Sequence, residues 1–219
     1  MNQIDIKLDD DSVWAMKPCL SNLLHRIEDF DGPYVEMGAG HGKTIALLCK
    51  IILEEDLHQR DVWGFDSFEA GYPQISTEDK NKRSQGGWKT SFDKATACVL
   101  QSGYKPSKIR LVSGFFENTL HSNFPMTESI PLLNLDCNLY SSYKFCLNEM
   151  FDMVPQGGII MLDEYKSTAQ LRNCPGAAAA IDEFFEQRGL DWNNIQYFDS
   201  VIHRRPGYEW RKHFYIKEN

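Results

Sequence analysis

The chain of 219 residues is long enough to bury a full hydrophobic core, and its length suits one domain with insertions. Its formal net charge of −8 disfavours a nucleic-acid partner, because binding to a phosphate backbone is driven by Lys and Arg. We therefore expect a small-molecule ligand, with neither a nucleic acid nor a membrane as partner.

Cysteine spacing and hydropathy predict a cytoplasmic location. The six cysteines form no C-x-x-C pair, and a chain of this length does not need disulfides for stability. Residues 1–7 lack a basic segment followed by an apolar one, and no apolar run approaches the ~18 residues of a membrane span. The prediction is a cytoplasmic protein with reduced thiols.

Helices and strands are predicted to alternate along the chain. Residues 12–30 carry apolar side chains at helical spacing, which predicts a helical segment before a first strand that begins at Pro33. The elements predicted next are helix 44–57, strand 61–67, helix 89–102, strand 109–114, strand 130–136, helix 140–153, strand 158–162 and helix 177–188. This alternation is typical of βαβ units, so we predict an α/β fold with a mostly parallel sheet flanked by helices.

Two further segments complete the predicted single domain, which spans residues 1–219 with 1–31 as its N-terminal helical part. Short strands at 195–198 and 212–216, around the turn residues 205–207, predict an antiparallel C-terminal hairpin at the sheet edge. Residues 72–87 have no hydrophobic period and are rich in Ser, Lys, Asp and Gly. Either a functional lid or a disordered insertion fits a loop of this length.

Acidic residues follow four of the predicted strands. Glu36, Asp66, Asp136 and the pair Asp163 and Glu164 each end an apolar run. Ligands of open α/β sheets bind beyond the carboxyl ends of the parallel strands, so these carboxylates are expected along one crevice. The pattern predicts a cofactor site with a metal site beside it.

A glycine-rich loop follows the first strand. Gly38, Gly40 and Gly42 permit a tight turn and close approach of a ligand to a helix N-terminus. The segment nearly matches a phosphate-binding loop, but Met37 stands where that motif has its first glycine. The third glycine also comes one residue too early for a dinucleotide-binding motif. A nucleotide-binding protein is the alternative from another functional class.

Two acids favour S-adenosylmethionine over a nucleotide phosphate. Glu36 would repel a triphosphate but suits a positively charged cofactor, and Asp66 can accept both ribose hydroxyls. The competing interpretations are a helix-dipole partner for Glu36 and a turn cap for Asp66. Phe68 and Phe115 are candidates for an apolar adenine slot, although aromatic residues also commonly belong to the core.

Asp136, Asp163 and Glu164 predict a metal site. Three carboxylates around one point repel each other unless they are protonated or neutralised, and a hard divalent cation such as Mg²⁺ neutralises them. Asp136 is placed to take the proton of a hydroxyl group, which makes it the candidate catalytic base. Alternatively, one of the three acids caps a helix or pairs with Lys166 or Arg172.

Five motifs in order resemble the macrocin O-methyltransferase family. They are residues 32–38 (GPYVEMG), 62–69 (VWGFDSFE), 114–120 (GFFENTL), 135–142 (LDCNLYSS), and 155–158 (PQGG) with 163–165 (DEY). The resemblance spans residues 32–185. It implies a class I methyltransferase fold, which is Rossmann-like, and Mg²⁺-dependent methylation of hydroxyls by S-adenosylmethionine, often on sugars of natural products.

The resemblance also suggests roles for individual residues. Its cofactor positions fall on Glu36 and Asp66. Together with the residues considered above, the predicted cofactor-binding set is Glu36, Gly38, Gly40, Asp66, Ser67, Phe68, Gly114 and Phe115. The family's metal aspartates fall on Asp136, Asp163 and Glu164, and its base falls on Asp136. Two positions depart from the family pattern: Asn138 replaces an aspartate, and Glu164 replaces the second aspartate of a D-D-Y motif.

The predicted function is S-adenosylmethionine-dependent O-methylation, assisted by Mg²⁺, of a small sugar-containing or polyhydroxylated acceptor. A metal-independent O- or N-methyltransferase is the nearest alternative, because the two departures touch the metal site and leave the cofactor site intact. The acceptor is not predicted from the sequence, and a homodimer is left open.

Overall fold

The computed structural model describes residues 15–79, 83–166, 173–198, 202–205 and 208–218. Its helices are α1 (Lys17–Arg26), α2 (Lys43–Glu54), α3 (Phe92–Leu100), α4 (Phe116–Asn123), α5 (Tyr140–Met150) and α6 (Pro175–Arg188). Its strands are β1 (Tyr34–Met37), β2 (Val62–Asp66), β3 (Ile109–Ser113), β4 (Leu132–Leu135), β5 (Ile159–Leu162), β6 (Gln196–Tyr197), β7 (Ile202–Arg205), β8 (Tyr208–Trp210) and β9 (His213–Ile216).

Seven strands form one sheet in the order β3-β2-β1-β4-β5-β9-β6. Strands β1 to β5 are parallel, β9 is antiparallel to β5, and β6 is antiparallel to β9. The predicted α/β fold with an antiparallel C-terminal edge is confirmed. Chain order reverses between β1 and β4, so the crevice beyond their carboxyl ends is the topological switch point where ligands bind in such sheets.

Helices cover both faces of the sheet. One core cluster joins strand residues to α1, α2 and α3, and another joins them to α4, α5 and α6. Every residue of β1, β4 and β5 is buried, as expected for central parallel strands. Adjacent residues of β1 enter opposite clusters, Tyr34 the first and Val35 the second, because side chains alternate along a strand.

Two local features differ from the sequence prediction, and a third prediction lies partly outside the described residues. Helix α4 was not predicted, and Leu120 is its single buried residue, which leaves no apolar period to detect. The predicted C-terminal strands do pair, but β7 and β8 form a separate two-stranded ribbon between them. The N-terminal helix is described only from residue 15 onward, so the earlier part of that prediction lies outside the described residues.

Two structural observations bear on the predicted location and on the predicted reduced thiols. All six cysteines lie in described segments, are buried, and have no disulfide partner. Within those segments, no helix combines the length and hydropathy that a membrane span requires.

Candidate functional site

A cavity of about 500 Å³ opens beyond the carboxyl ends of the parallel strands. The predicted residues that line it are Glu36, Gly38, Gly40, Asp66, Ser67, Gly114, Phe115, Asp136, Asp163 and Glu164. The strand ends therefore do gather their carboxylates in one crevice. The same cavity is lined by Tyr72, Arg83, Trp88 and Lys212, which the sequence patterns did not single out.

Phe68 is the member of the predicted cofactor set that does not line this cavity. Its side chain is fully buried, and its ring packs edge-on against Phe92 with 5.2 Å between centroids. The backbone at Phe68 has a left-handed φ of +45°, at the turn that follows β2. Phe68 is therefore a core residue, whereas Phe115 remains an adenine-slot candidate.

Gly38 brings the glycine loop against the end of β4. Its φ is +102°, and a Cβ atom at this position would lie 1.9 Å from the carbonyl oxygen of Asp136. Only glycine allows both the backbone conformation and this close approach. The loop after β1 is thereby held directly beside Asp136.

Asp66 is fixed by backbone donors. The N–H of Gly40 donates to its Oδ2 at 2.9 Å, and the N–H of Phe68 donates to its Oδ1 at 2.6 Å. Burial raises the pKa of Asp66, while these two backbone donors act in the opposite direction. Each oxygen retains a further lone pair, so the turn-cap role and ribose binding are compatible.

The glycine loop differs from a phosphate-binding loop in what its backbone contacts. In a phosphate loop the backbone N–H groups face the anionic ligand. Here the N–H of Gly40 already donates to a carboxylate of the protein itself. Glu36, which is buried and has its pKa raised well above the usual range by burial and by Asp136, adds a second acid beside the loop. Because the N–H of Gly40 is engaged by Asp66, the loop is not arranged to bind a triphosphate.

The acidic cluster, defined as Asp136, Asp163 and Glu164, lies at the ends of β4 and β5. These strands are in register with Leu135 beside Leu162, so the residues that follow them are adjacent. One carboxylate oxygen from each member lies within 4.8 Å of the others. The prediction that these acids converge is confirmed by their geometry.

Tyr143 contacts the most buried member of the cluster. Its hydroxyl lies 2.7 Å from the carbonyl oxygen of Leu135 and 2.6 Å from Oε2 of Glu164. A phenol has one proton and donates one full hydrogen bond, so a proton on Glu164 satisfies both short contacts. Burial, followed by the Asp136 carboxylate, raises the pKa of Glu164 well above its usual range, in agreement with that arrangement.

Lys212, the residue before β9, contacts the acidic cluster. Its ammonium forms an ion pair with Oδ1 of Asp163, and both side chains are buried. Burial lowers the pKa of Lys212, and the carboxylates of Asp136 and Glu36 oppose that effect. Of the two partners that the sequence suggested, Lys166 instead pairs with Asp182 at 2.8 Å, and Arg172 lies outside the described residues.

The donor set of the acidic cluster fits a hard divalent cation. Carboxylate oxygens are the protein ligands that Mg²⁺ prefers, and three of them converge here. Because a carboxylate has two oxygens, a protein donor on one of them is compatible with a metal on the other, as is common around metal sites. Lys212 is such a donor to Asp163, and the N–H of Asn138 is such a donor to Oε2 of Glu164 at 3.3 Å.

Part of segment 72–87 is fastened over the site. Oδ2 of Asp79 accepts the N–H of Tyr140 at 2.8 Å, at the start of α5. Arg83 donates to Oδ1 of Asn138 at 3.2 Å and lies 3.0 Å from Sγ of Cys174. From the described part of this segment, Tyr72, Pro73 and Arg83 line the cavity, and the bonds of Asp79 and Arg83 tie the segment to α5 and to the loop after β4.

The chain is similar in sequence to a known protein family. The family model for macrocin-O-methyltransferase (TylF) matches residues 14–205. Demethyldecarbamoylnovobiocin O-methyltransferase of Streptomyces niveus is 25% identical over 177 residues, which are 75% of this chain and 64% of that protein. Mycinamicin III 3''-O-methyltransferase of Micromonospora griseorubida is 22% identical over 88% of this chain and 75% of that protein.

A solved structure has the same fold. The O-methyltransferase NovP superposes with a TM-score of 0.71 at 22% identity, over 93% of this chain and 81% of its own. The novobiocin-pathway relative is matched over 64% of its own length, which is less than two thirds. The family match spans residues 14–205, which is most of the present chain. The chain belongs to the macrocin-O-methyltransferase (TylF) family.

Proposed function

We propose that the chain is an S-adenosylmethionine-dependent O-methyltransferase that acts on a hydroxyl of a small sugar-containing or polyhydroxylated acceptor. Family membership supports the reaction class. A further relative from Streptomyces olivaceus, 25% identical over 61% of this chain and 53% of its own length, is named for 4'-O-methylation of a rhamnosyl tetracenomycin. Its name supports a glycosylated acceptor.

The observation that carries the proposal is the placement of Asp66. It stands at the end of β2, where Gly40 and Phe68 fix its side chain and the N–H of Gly114 donates to its backbone carbonyl at 2.9 Å. A carboxylate held in this way presents its remaining lone pairs to a ribose diol without having to reorganise. The fold neighbour TomG from Streptomyces achromogenes, solved with S-adenosylmethionine at 12% identity and a TM-score of 0.58, supports the same cofactor.

The cofactor, when bound, supplies a methyl group already activated by its positive sulfur. We propose that Glu36 lies on the side of the cavity that receives this positive charge. Asp136 stands beside the glycine loop and takes the proton of the acceptor hydroxyl. Tyr72, Pro73 and Arg83 of segment 72–87 line the cavity, and we propose that this segment acts as a lid that limits access of water.

Mg²⁺ is the second proposed cofactor. The acidic cluster would hold it, and the ion would supply Lewis-acid activation of the acceptor hydroxyl. Metal-independent O- or N-methyl transfer is the second candidate, and the ion pair between Lys212 and Asp163 favours it, because it already neutralises one acid of the cluster. A cytoplasmic location and a homodimer stay predictions.

The test combines binding and turnover on the full chain. Calorimetry is expected to detect binding of S-adenosylhomocysteine and no binding of ATP. Methyl transfer from labelled S-adenosylmethionine is then measured on a panel of deoxysugar glycosides, with Mg²⁺ and with EDTA. Binding of ATP without binding of S-adenosylhomocysteine would contradict the proposal, and full turnover in EDTA would remove the metal from it.

A further inference from the structure

Lys212 occupies a position that the topology of the sheet places at the acidic cluster. Strand β9 is antiparallel to β5, and Leu162 is the register partner of His213. The residue after β5 therefore lies beside the residue before β9, which brings Asp163 next to Lys212. The two side chains form an ion pair in which Lys212 is 8% exposed and Asp163 is 4% exposed.

The charged groups that act on Lys212 come from several elements. Asp163 contacts it from the end of β5, while Asp136 after β4 and Glu36 on β1 act on it electrostatically. The thiol of Cys19, on α1, is a further titratable neighbour. Lys212 therefore faces both the cofactor side of the cavity, through Glu36, and the acidic cluster.

The family match does not account for this lysine. It ends at residue 205, before Lys212. An ammonium in contact with one of three clustered carboxylates changes what that cluster can bind. It supplies one positive charge to Asp163, and it repels any divalent cation that approaches the same carboxylate.

We propose that Lys212 is a positioning residue that neutralises Asp163 and lowers the affinity of the acidic cluster for a divalent cation. This inference rests on the metal site of the proposed function. In the metal-free protein, the ammonium compensates Asp163 and holds its carboxylate at the end of β5. A divalent cation must share this carboxylate with a fixed positive charge, so the site binds metal weakly.

The test uses Lys212→Met, which keeps the length of the side chain and removes its charge. Its matched control is Lys217→Met near the end of the same strand, where the ammonium donates to the carbonyls of Phe151 and Val154 at 3.0 and 2.8 Å. Binding of Mn²⁺ to the full-length proteins is measured by electron paramagnetic resonance. We expect Lys212→Met to bind Mn²⁺ about ten-fold more tightly or better than the wild type. The control should stay within about two-fold.

A purely structural role for Lys212 predicts the opposite sign. Loss of an ion pair that only supports the fold would lower the melting temperature and leave Mn²⁺ affinity unchanged or weaker. Lys212→Arg, which keeps the charge, should retain the weak binding of the wild type. Lys212→Gln supplies a second neutral side chain, so the result does not depend on folding of the methionine variant.

The outcomes separate this inference from the proposed function. Unchanged or weaker Mn²⁺ affinity in a folded neutral variant overturns the role of Lys212. Absence of Mn²⁺ binding in every variant, with S-adenosylhomocysteine still bound, also overturns it and leaves the cofactor site standing. Absence of S-adenosylhomocysteine binding in the wild-type protein is instead a failure of the proposed function.

Discussion

The two sides of the cavity compensate their carboxylates by different means. On the cofactor side, Asp66 accepts two backbone N–H groups, from Gly40 at 2.9 Å and Phe68 at 2.6 Å. In the acidic cluster, Asp163 pairs with the Lys212 ammonium and Glu164 contacts the Tyr143 hydroxyl at 2.6 Å, so the short contacts come from side chains. One longer bond, from the N–H of Asn138 to Oε2 of Glu164 at 3.3 Å, comes from the backbone. Backbone donors are present whatever the side chain, whereas each side-chain donor is lost by one substitution.

This difference separates two properties of the site. The path of the chain through the glycine loop holds the cofactor side, and Gly38 keeps that loop against the backbone of Asp136. The charge of the acidic cluster depends on a few individual residues. We therefore expect cofactor affinity and metal or acceptor chemistry to respond separately to substitution.

Asp136→Asn is expected to have the largest effect of these substitutions, and the effect should fall on turnover while cofactor affinity is retained. An amide cannot accept the acceptor's proton, so turnover should fall by about 10²- to 10⁴-fold. Affinity for S-adenosylhomocysteine should change by less than about two-fold, because Asp66 is untouched. Initial rates with an acceptor of the wild-type enzyme and calorimetric binding measure the two properties.

The control for this variant is Asp152→Asn. Asp152 is exposed and pairs with Arg188 at 3.0 and 2.8 Å, away from the cavity. Its loss should leave both turnover and binding unchanged. Retained turnover in Asp136→Asn would show that another group takes the proton.

Asp66→Ala should have the opposite profile. Loss of one hydrogen bond to a charged acceptor costs roughly 1.5 to 3 kcal/mol, so affinity for S-adenosylhomocysteine should fall at least about ten- to hundred-fold. Asp61→Ala is the matched control, because Asp61 precedes the same strand and is paired with Lys108 and Arg110 at 3.6 and 3.8 Å. Equal affinities of the Asp66 variant and the wild type would exclude the ribose role.

Sequence patterns predicted those parts of the site that strand ends and turn glycines position. Continuous apolar runs identified the central strands, and an acid at the end of each run placed Glu36, Asp66 and the acidic cluster in one crevice. These features are local in sequence, because strand ends and turn glycines can be recognised from a few adjacent residues. Helix α4 was missed because its surface is mostly polar.

The contact of the C-terminal segment with the acidic cluster was not predicted. The strand 212–216 was expected, but the sequence did not indicate its antiparallel register with β5, which brings Lys212 to Asp163. The sequence does hold a clue to this pairing. Where two strands are antiparallel, the start of one lies beside the end of the other, so residues just before β9 are expected next to residues just after β5. Phe68 was assigned to the cofactor because its sequence position does not reveal the left-handed turn that places its ring in the core.

Tyr143→Phe is expected to have the smallest effect of these substitutions. It tests how much a single hydroxyl group stabilises the acidic cluster. Removal of the Tyr143 hydroxyl abolishes its contact with Oε2 of Glu164, a buried acid. We expect a loss of about 1 to 2 kcal/mol in the free energy of unfolding, measured by denaturant titration, because Oε2 of the buried Glu164 then keeps only the longer bond from the N–H of Asn138, at 3.3 Å. The carbonyl of Leu135 also accepts the N–H of Asp163 at 3.0 Å, so it keeps one donor, which limits the cost.

Tyr140→Phe is the matched control for this substitution. Tyr140 begins the same helix, and its hydroxyl donates at 2.7 Å to Glu183, whose side chain is exposed. Water replaces that bond, so the control should lose less than about 0.5 kcal/mol. If the two variants lose equal stability, Tyr143 does not hold Glu164, and the acidic cluster does not depend on individual side chains in the way that Asp163 and Lys212 suggest.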